Sequence, residues 1–330
     1  MKRNPRRSAI TDRREPTGHT HDRLVKILLT SCFIALCSGG PASADEPSAG
    51  FAEKGSVKLV SANLKTARHV YKKTPQADLR LQFHFPPAWK AGDKRPAILF
   101  FFGGGWRTGS AQQFVPQAEY FATRGLVTVR ADYRVFDKHK TTPDIATEDA
   151  KSAMRWLRGH ASEFGIDPAK IVASGGSAGG HLAAAALLVT AYDAKSDDLE
   201  ISPKPNALVL YNPALNLTLL NREFTDAEGN NIAKEISPTL FLHESTVPTI
   251  IFFGDADPLK PHGDEFLKRA AALGTRCEQW IARGQPHGFF NWEPWISATT
   301  IQADRFLTSL GYLTGEPALK PAAQLHMQRL

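Results

Sequence analysis

Between residues 97 and 282 the chain alternates short apolar runs with stretches in which apolar residues recur every three or four positions. The runs are 97–102 (AILFFF), 126–131 (LVTVRA), 171–173, 207–211 (ALVLY) and 249–253 (TIIFF), with 277–282 (CEQWIA) also strand-like. Near-continuous apolarity with branching at Cβ predicts strands buried on both faces, as in a parallel sheet. Helices are predicted between them. Phe114, Ala118 and Phe121 share one face, as do Ala150, Met154, Leu157, Ala161 and Phe164, while Phe266, Ala270 and Leu273 repeat the spacing before a stop at Gly274. Upstream, 58–60, 70–72 and 79–85 mix polar and apolar positions as strands near a sheet edge do. The order β-β-β-α-β-α-β-α-β-α-β predicts one α/β domain, a mostly parallel central sheet with helices on both faces. The stretch 315–330, with Pro317 and Pro321, is expected to be a loosely held tail.

The front of the chain has a different character. Residues 1–44 hold eight Lys and Arg against three acids, a net +5 of the formal +7, so the other 286 residues carry only +2. Such a balance argues against nucleic acid or another general polyanion as partner. The basic stretch leads into 11 uncharged residues, 27–37 (ILLTSCFIALC), and then the small triplet Ala42-Ser43-Ala44. This is the order of a secretory signal, which predicts cleavage after Ala44, a mature domain of 45–330, and a secreted or periplasmic location. Eleven residues fall short of the roughly 20 that span a bilayer, so no stable membrane span is expected. The box Leu29-Thr30-Ser31-Cys32 follows too short an apolar run for a lipoprotein signal, and Arg6-Arg7 lies far from that run.

Cys32 and Cys37 would leave with the leader, and the remaining Cys277 is expected to be a buried, inert thiol. No C-x-x-C pair or H-E-x-x-H occurs, so the sequence makes no case for structural or catalytic zinc. Nothing in the sequence sets an oligomeric state.

Three glycine-flanked segments carry candidate chemistry. Gly175-x-Ser177-x-Gly179 follows the strand 171–173 and precedes a small-residue helix beginning near His181. A serine on such a strand-turn-helix elbow stands above the sheet, beside a helix N-terminus that favours developing negative charge. Serine needs a base, itself oriented by an acid. Asp257 in GDADPL and His287 in GQPHGFF each lie just past a strand end, where open α/β sheets place their sites, and Asp255 is the next-best acid. His181 is expected to serve helix packing, while His243 and His262 have no comparable setting. The third segment is Phe102-Gly103-Gly104-Gly105-Trp106, whose bare backbone N–H groups, with that of Ala178, suit an oxyanion.

Together with ADYR at 131–134, the stretch 144–171, ISP at 236–238, GDADPL and PHGFF, these segments resemble the α/β-hydrolase esterases. The nearest group is that of acetyl esterases, acetylxylan esterases and feruloyl-esterase-like domains, related to hormone-sensitive-lipase-type enzymes. The resemblance covers about residues 79–310. It implies Ser177 as nucleophile, His287 as base, Asp257 as orienting acid, and Gly104, Gly105 and Ala178 as oxyanion donors, with Asp132, Arg134 and Asp149 structural. It further implies two-step acyl transfer without a cofactor, on a small-molecule or polysaccharide ester, with acetyl groups on carbohydrate the expected leaving acyl. In that group a histidine precedes the glycines and braces their loop. Here Phe102 stands in its place, so packing or another donor has to hold the loop.

Trp106 and Phe289 are candidate substrate contacts, a core position being the alternative for Trp106. The segment 215–246 is long for a plain connection and is expected to contribute a lid or pocket wall. Two other functions share these features. A prolyl-oligopeptidase-type exopeptidase uses the same triad order but carries a large extra module, and non-catalytic binding proteins on this fold typically lose the serine or histidine that is present here.

Overall fold

Residues 58–60, 62–320 and 327–330 are described by a computed structural model. The expected signal segment 1–44 and its expected cleavage point lie outside them. The sheet begins with an antiparallel hairpin, β1 (Lys65–Lys73) and β2 (Asp78–Phe85), closed by Thr74 and Ala77. Its core is six parallel strands: β3 (Arg95–Phe101), β4 (Val127–Ala131), β5 (Ile166–Gly176), β6 (Ala207–Tyr211), β7 (Thr249–Gly254) and β8 (Cys277–Ala282). A short antiparallel β9 (Met327–Arg329) completes the order β1-β2-β4-β3-β5-β6-β7-β8-β9.

Alternation along the buried strands builds a core on each face. Leu99, Phe101, Val129, Ala173, Leu210, Ile251 and Phe253 point to one side. There they meet Met154 and Leu157 of α3 (Pro143–Gly159), Leu182 of α4 (Ala178–Leu188) and Phe266 of α5 (Lys260–Ala272). Ile98, Phe100, Val172, Val209, Ile250 and Phe252 point to the other. They pack on Ala118 and Phe121 of α1 (Val115–Thr123) and on Phe306 and Leu307 of α6 (Trp295–Ser309). A one-turn α2 (Phe136–His139) follows β4. The α/β-hydrolase fold is therefore present, with helices on both faces of a mostly parallel sheet.

The structure corrects the sequence reading at four places. Residues 58–60 are not a strand; Leu59 and Val60 instead rest against the second core. No helix joins β6 to β7. Residues 212–248, interrupted by Pro213, Asn216 and Gly229, form short 3₁₀ turns at Leu217–Leu219 and Pro238–Phe241 and one antiparallel bridge between Thr225 and Asn231, yet bury Leu215, Leu217, Phe224, Ile232 and Ile236. A further helix, α6, follows β8. The expected loose tail ends in β9, which pairs with β8 through Trp280, Ile281 and Ala282.

Candidate active site

Ser177 sits between the end of β5 and the start of α4 at φ 52° and ψ −118°. Such a backbone is sparsely populated by residues with a Cβ and persists only where the surroundings impose it. Here the crowding does so. A Cβ on Gly179 would collide with the Phe101 carbonyl oxygen, and one on Gly175 with the Gly179 carbonyl oxygen. Only glycine at both sites lets β5, α4 and the end of β3 pass this closely.

The turn brings three distant side chains into one line. Asp257, three residues before α5, has a fully buried carboxylate whose Oδ1 accepts from the Leu259 N–H at 2.8 Å. Both its oxygens face His287 Nδ1, at 3.0 and 2.9 Å. A carboxylate accepts only, so Nδ1 carries the proton and Nε2 presents its lone pair. That nitrogen lies 2.9 Å from Ser177 Oγ. The geometry is that of a nucleophile, a base and an orienting acid. Asp255, the alternative acid, is exposed and accepts instead from the Gly284 N–H at 2.6 Å, which pins the turn before His287.

The glycine segment runs against this turn, since a Cβ on Gly103 would stand 3.4 Å from Ser177 Cβ. Gly104 and Gly105 have φ of 123° and 62°, and the Gly104 carbonyl accepts from the N–H groups of Arg107 and Thr108. The Gly103 N–H is engaged by Gln113 Oε1 at 2.6 Å. Among the described residues, the N–H groups of Gly104, Gly105 and Ala178 meet no protein acceptor. Phe102 holds its segment by a route other than a histidine bond: its ring stacks on Tyr133, whose hydroxyl donates to the Phe102 carbonyl at 2.6 Å.

Residues 81–265 match the family model described as BD-FAE. The chain belongs to the BD-FAE family. Among solved structures it is similar to esterase 2 of Thermogutta terrifontis, at 42% identity and a TM-score of 0.72, over 76% of this chain and 97% of that one. It is also similar to the carboxylesterase NlhH of Mycobacterium tuberculosis, 24% identical over 253 residues, which is 71% of this chain and 78% of the relative. The carboxylic ester hydrolase LipN of the same species is 27% identical over 233 residues, 63% of this chain and 60% of its own. This BD-FAE member is a carboxylic ester hydrolase related to the hormone-sensitive-lipase type.

Other residues of this BD-FAE chain take packing roles. Trp106 is only 3% exposed and donates its indole N–H to His181 Nδ1 at 3.3 Å. His181 Nε2 in turn donates to the Ile236 carbonyl at 2.6 Å, and burial pushes its pKa down to about 4, so it stays neutral. The core alternative for Trp106 thus fits, and its indole is not laid open for a sugar to stack on. Phe289 is equally buried, edge-on to Trp295, and presents no open face either. His262 is a buried neutral ring that accepts from the Asn216 N–H. Burial pushes the Cys277 thiol up to about 12, with the Glu278 charge adding to the effect.

Three residues near the site had no motif to announce them, Gln113, Asn212 and Asn291, while Tyr133 lies in ADYR with no role assigned to it in advance. Asn212, at φ 36°, accepts from the Gly288 N–H at 3.3 Å and turns its Nδ2 to within 3.3 Å of His287 Nε2. The only advance signal for it was its place directly after a buried strand, before Pro213.

Proposed function

We propose that this esterase is exported and removes short acyl groups, acetyl foremost, from carbohydrate, using Ser177 as nucleophile, His287 as base and Asp257 as orienting acid. The observation that carries the site assignment is the line Ser177 Oγ, His287 Nε2, His287 Nδ1, Asp257 carboxylate, every step about 3 Å. As Ser177 attacks the ester carbonyl, its proton passes to Nε2 and the imidazolium is stabilised by Asp257. The N–H groups of Gly104, Gly105 and Ala178 receive the oxyanion, each such donor being worth about 10²- to 10³-fold in turnover. Collapse expels the alcohol, which takes the proton from Nε2. Water then repeats the sequence on the acyl-enzyme, releasing the acid and restoring Ser177.

Short acyl groups are supported by the related Thermogutta esterase, which has structures with propionate and with butyrate bound. Carbohydrate is supported by the motifs shared with acetylxylan and feruloyl-type esterases. Export is supported by the basic stretch, apolar run and A-x-A triplet of residues 1–44. The esterase relatives favour this reading over an exopeptidase or a non-catalytic binding protein.

The test is kcat/KM across p-nitrophenyl acetate, butyrate, octanoate and palmitate, with acetate release from acetylated xylan. An extra methylene is worth only about 1 to 3 kcal/mol in an apolar pocket, so rates should fall gradually beyond the shortest esters. A maximum at octanoate or longer with no acetate released would replace the substrate assignment. Material exported by the native host should begin at Asp45, and an intact Met1 would remove the export assignment.

A further inference from the structure

The Gly103 N–H and the Gly288 carbonyl belong to different loops, one carrying the glycines and the other following His287, and two side-chain amides join them. Gln113 Oε1 accepts from the Gly103 N–H at 2.6 Å, and Gln113 Nε2 donates to Asn291 Oδ1 at 3.1 Å. Asn291 Nδ2 then donates to the Gly288 carbonyl at 2.8 Å. The two ends fix the direction of the relay: a backbone N–H only donates and a backbone carbonyl only accepts. Only one orientation of each amide satisfies all three bonds. Flipping Asn291 alone would face two donors and two acceptors with each other.

Gly288 is held from its other side as well, because its N–H donates to Asn212 Oδ1. Its φ of 81° is the left-handed conformation that glycine adopts without steric cost. The peptide units after His287 are therefore fixed at both polar ends, by Asn212 and by Asn291. Three consecutive glycines have no side chains with which to position themselves, so their placement has to come from neighbours. Preorganised donors are effective only when held within about 0.5 Å of the reacting geometry.

We propose that Gln113 and Asn291 form a tie that locks the glycine loop to the His287 loop, making both positioning residues for acyl transfer. The proposal rests on the roles assigned above to Ser177, His287 and the glycine N–H groups. The tie sets the distance between the base and the oxyanion donors, which have to act in the same transition state. Apart from their bond to each other, the side-chain amides of Gln113 and Asn291 hydrogen-bond only the Gly103 N–H and the Gly288 carbonyl, so their effect on the reaction is carried through those loops.

The experiment is a double-mutant cycle of Gln113→Ala and Asn291→Ala, read with p-nitrophenyl acetate. Gln113→Glu and Asn291→Asp accompany it because they keep side-chain size. Each single variant is expected to lower kcat by about 10- to 100-fold with KM nearly unchanged, and the double variant to fall little further, since either break opens the whole tie. Affinity for an alkylboronic acid, which mimics the tetrahedral adduct, should fall in parallel, whereas binding of propionate as product should not. Gln113→Glu keeps the acceptor for Gly103 but loses the donor to Asn291, so it opens the tie and should lower kcat as far as Gln113→Ala does. Variants that fold by circular dichroism yet keep kcat within twofold, or losses that multiply in the double variant, would overturn the tie. So would a lowered melting temperature with unchanged boronate affinity. If the alanine variants fail to fold, the Glu and Asp variants decide by the same measures. Ser177→Ala serves as the control for the site itself: an active Ser177→Ala sinks the catalytic assignment, whereas an inert Ser177→Ala beside unaffected Gln113 and Asn291 variants sinks the tie alone.

Discussion

Tyr133 lies against Phe102 with ring centroids 4.0 Å apart and planes 16° from parallel, and the same tyrosine's hydroxyl donates to the Phe102 carbonyl at 2.6 Å. Both groups are buried, and the phenol is pushed far above its ordinary pKa by that burial, so it remains a donor. The backbone entering the glycine loop is thus held by stacking and by one hydrogen bond from the segment after β4. A phenylalanine at 102 stacks where an imidazole would have bonded, and the bond is supplied from the opposite partner.

Tyr133→Phe separates the two contributions, because it keeps the stacked ring and removes only the hydroxyl. The Phe102 carbonyl loses its donor, a loss of about 1 to 3 kcal/mol for a buried acceptor. If part of that is felt as looser oxyanion geometry, kcat should fall about tenfold with KM little changed. Steady-state kinetics on p-nitrophenyl acetate, with a melting curve alongside, is the check. Wild-type kcat in the variant would show that stacking alone holds the loop.

Ser177 makes opposite demands on activity and stability. Ser177→Ala should reduce turnover by about 10⁶ while the fold persists, as removal of such a nucleophile does elsewhere. Ser177→Gly should be equally inactive but should melt higher than Ser177→Ala. The reason is that φ 52° costs a residue with a Cβ about 1 to 3 kcal/mol, more than the roughly 0.5 to 1 kcal/mol of extra chain entropy that glycine loses. Equal melting temperatures would mean that the turn is unstrained.

The strands that position the site were legible because they are buried on both faces: AILFFF, ALVLY and TIIFF are apolar apart from Thr249 and the Tyr211 hydroxyl at their ends. The elbow, Asp257 and His287 were legible because glycine and proline mark the strand ends at which they sit. Helix α6 was hidden although Ile296, Thr300, Ala303 and Leu307 keep helical spacing, because its paired Thr299 and Thr300 favour strands locally and its buried polar face breaks the apolar stripe. Gln113 and Asn291, and the role of Tyr133 within ADYR, were hidden for another reason. Their partners lie 10, 178 and 31 residues away, and an amide or phenol bonded to a backbone atom leaves no mark in the spacing.

Three buried histidines make the fold sensitive to mild acid. Burial holds His84, His181 and His262 down to about 4, with Arg130 adding to the effect at His84. Unfolded histidine titrates near 6.5, so below that pH the unfolded chain takes up protons that the folded chain refuses. Stability is therefore full above pH 6.5 and is lost progressively as the pH falls toward 4. The melting temperature should drop between pH 6.5 and 5, before most carboxylates titrate. His84→Gln should show a shallower drop. A flat profile over that interval, or an unchanged slope in the variant, would contradict the assignment.

Asp149 of α3 anchors the segment that carries Tyr133. Its carboxylate is fully buried and accepts from the Arg134 N–H at 3.0 Å, from Arg134 Nε at 2.8 Å and from Arg134 Nη2 at 2.6 Å. Lys72 Nζ of β1 stands 2.9 Å from the same group. Removing Asp149 leaves two buried cations with only the partly exposed Glu148 as counter-charge, 2.6 Å from Lys72 Nζ and 3.1 Å from Arg134 Nη2, a loss at the lower end of the about 3 to 5 kcal/mol that breaking a buried pair typically costs. At about 2 to 4 °C per kcal/mol for a domain of this size, Asp149→Ala should lower the melting temperature by roughly 10 °C. The exposed pair Arg107 and Asp137 provides the contrast, with both side chains more than half in solvent. Solvent screens that pair, so Asp137→Ala should leave the melting temperature unchanged. Because Arg134 is the next residue after Tyr133, the milder Asp149→Asn should also loosen the Tyr133 bond to Phe102 and lower kcat at temperatures well below its own melting point. A variant that melts early yet turns over normally at 25 °C would confine Asp149 to stability and free the glycine loop from its influence.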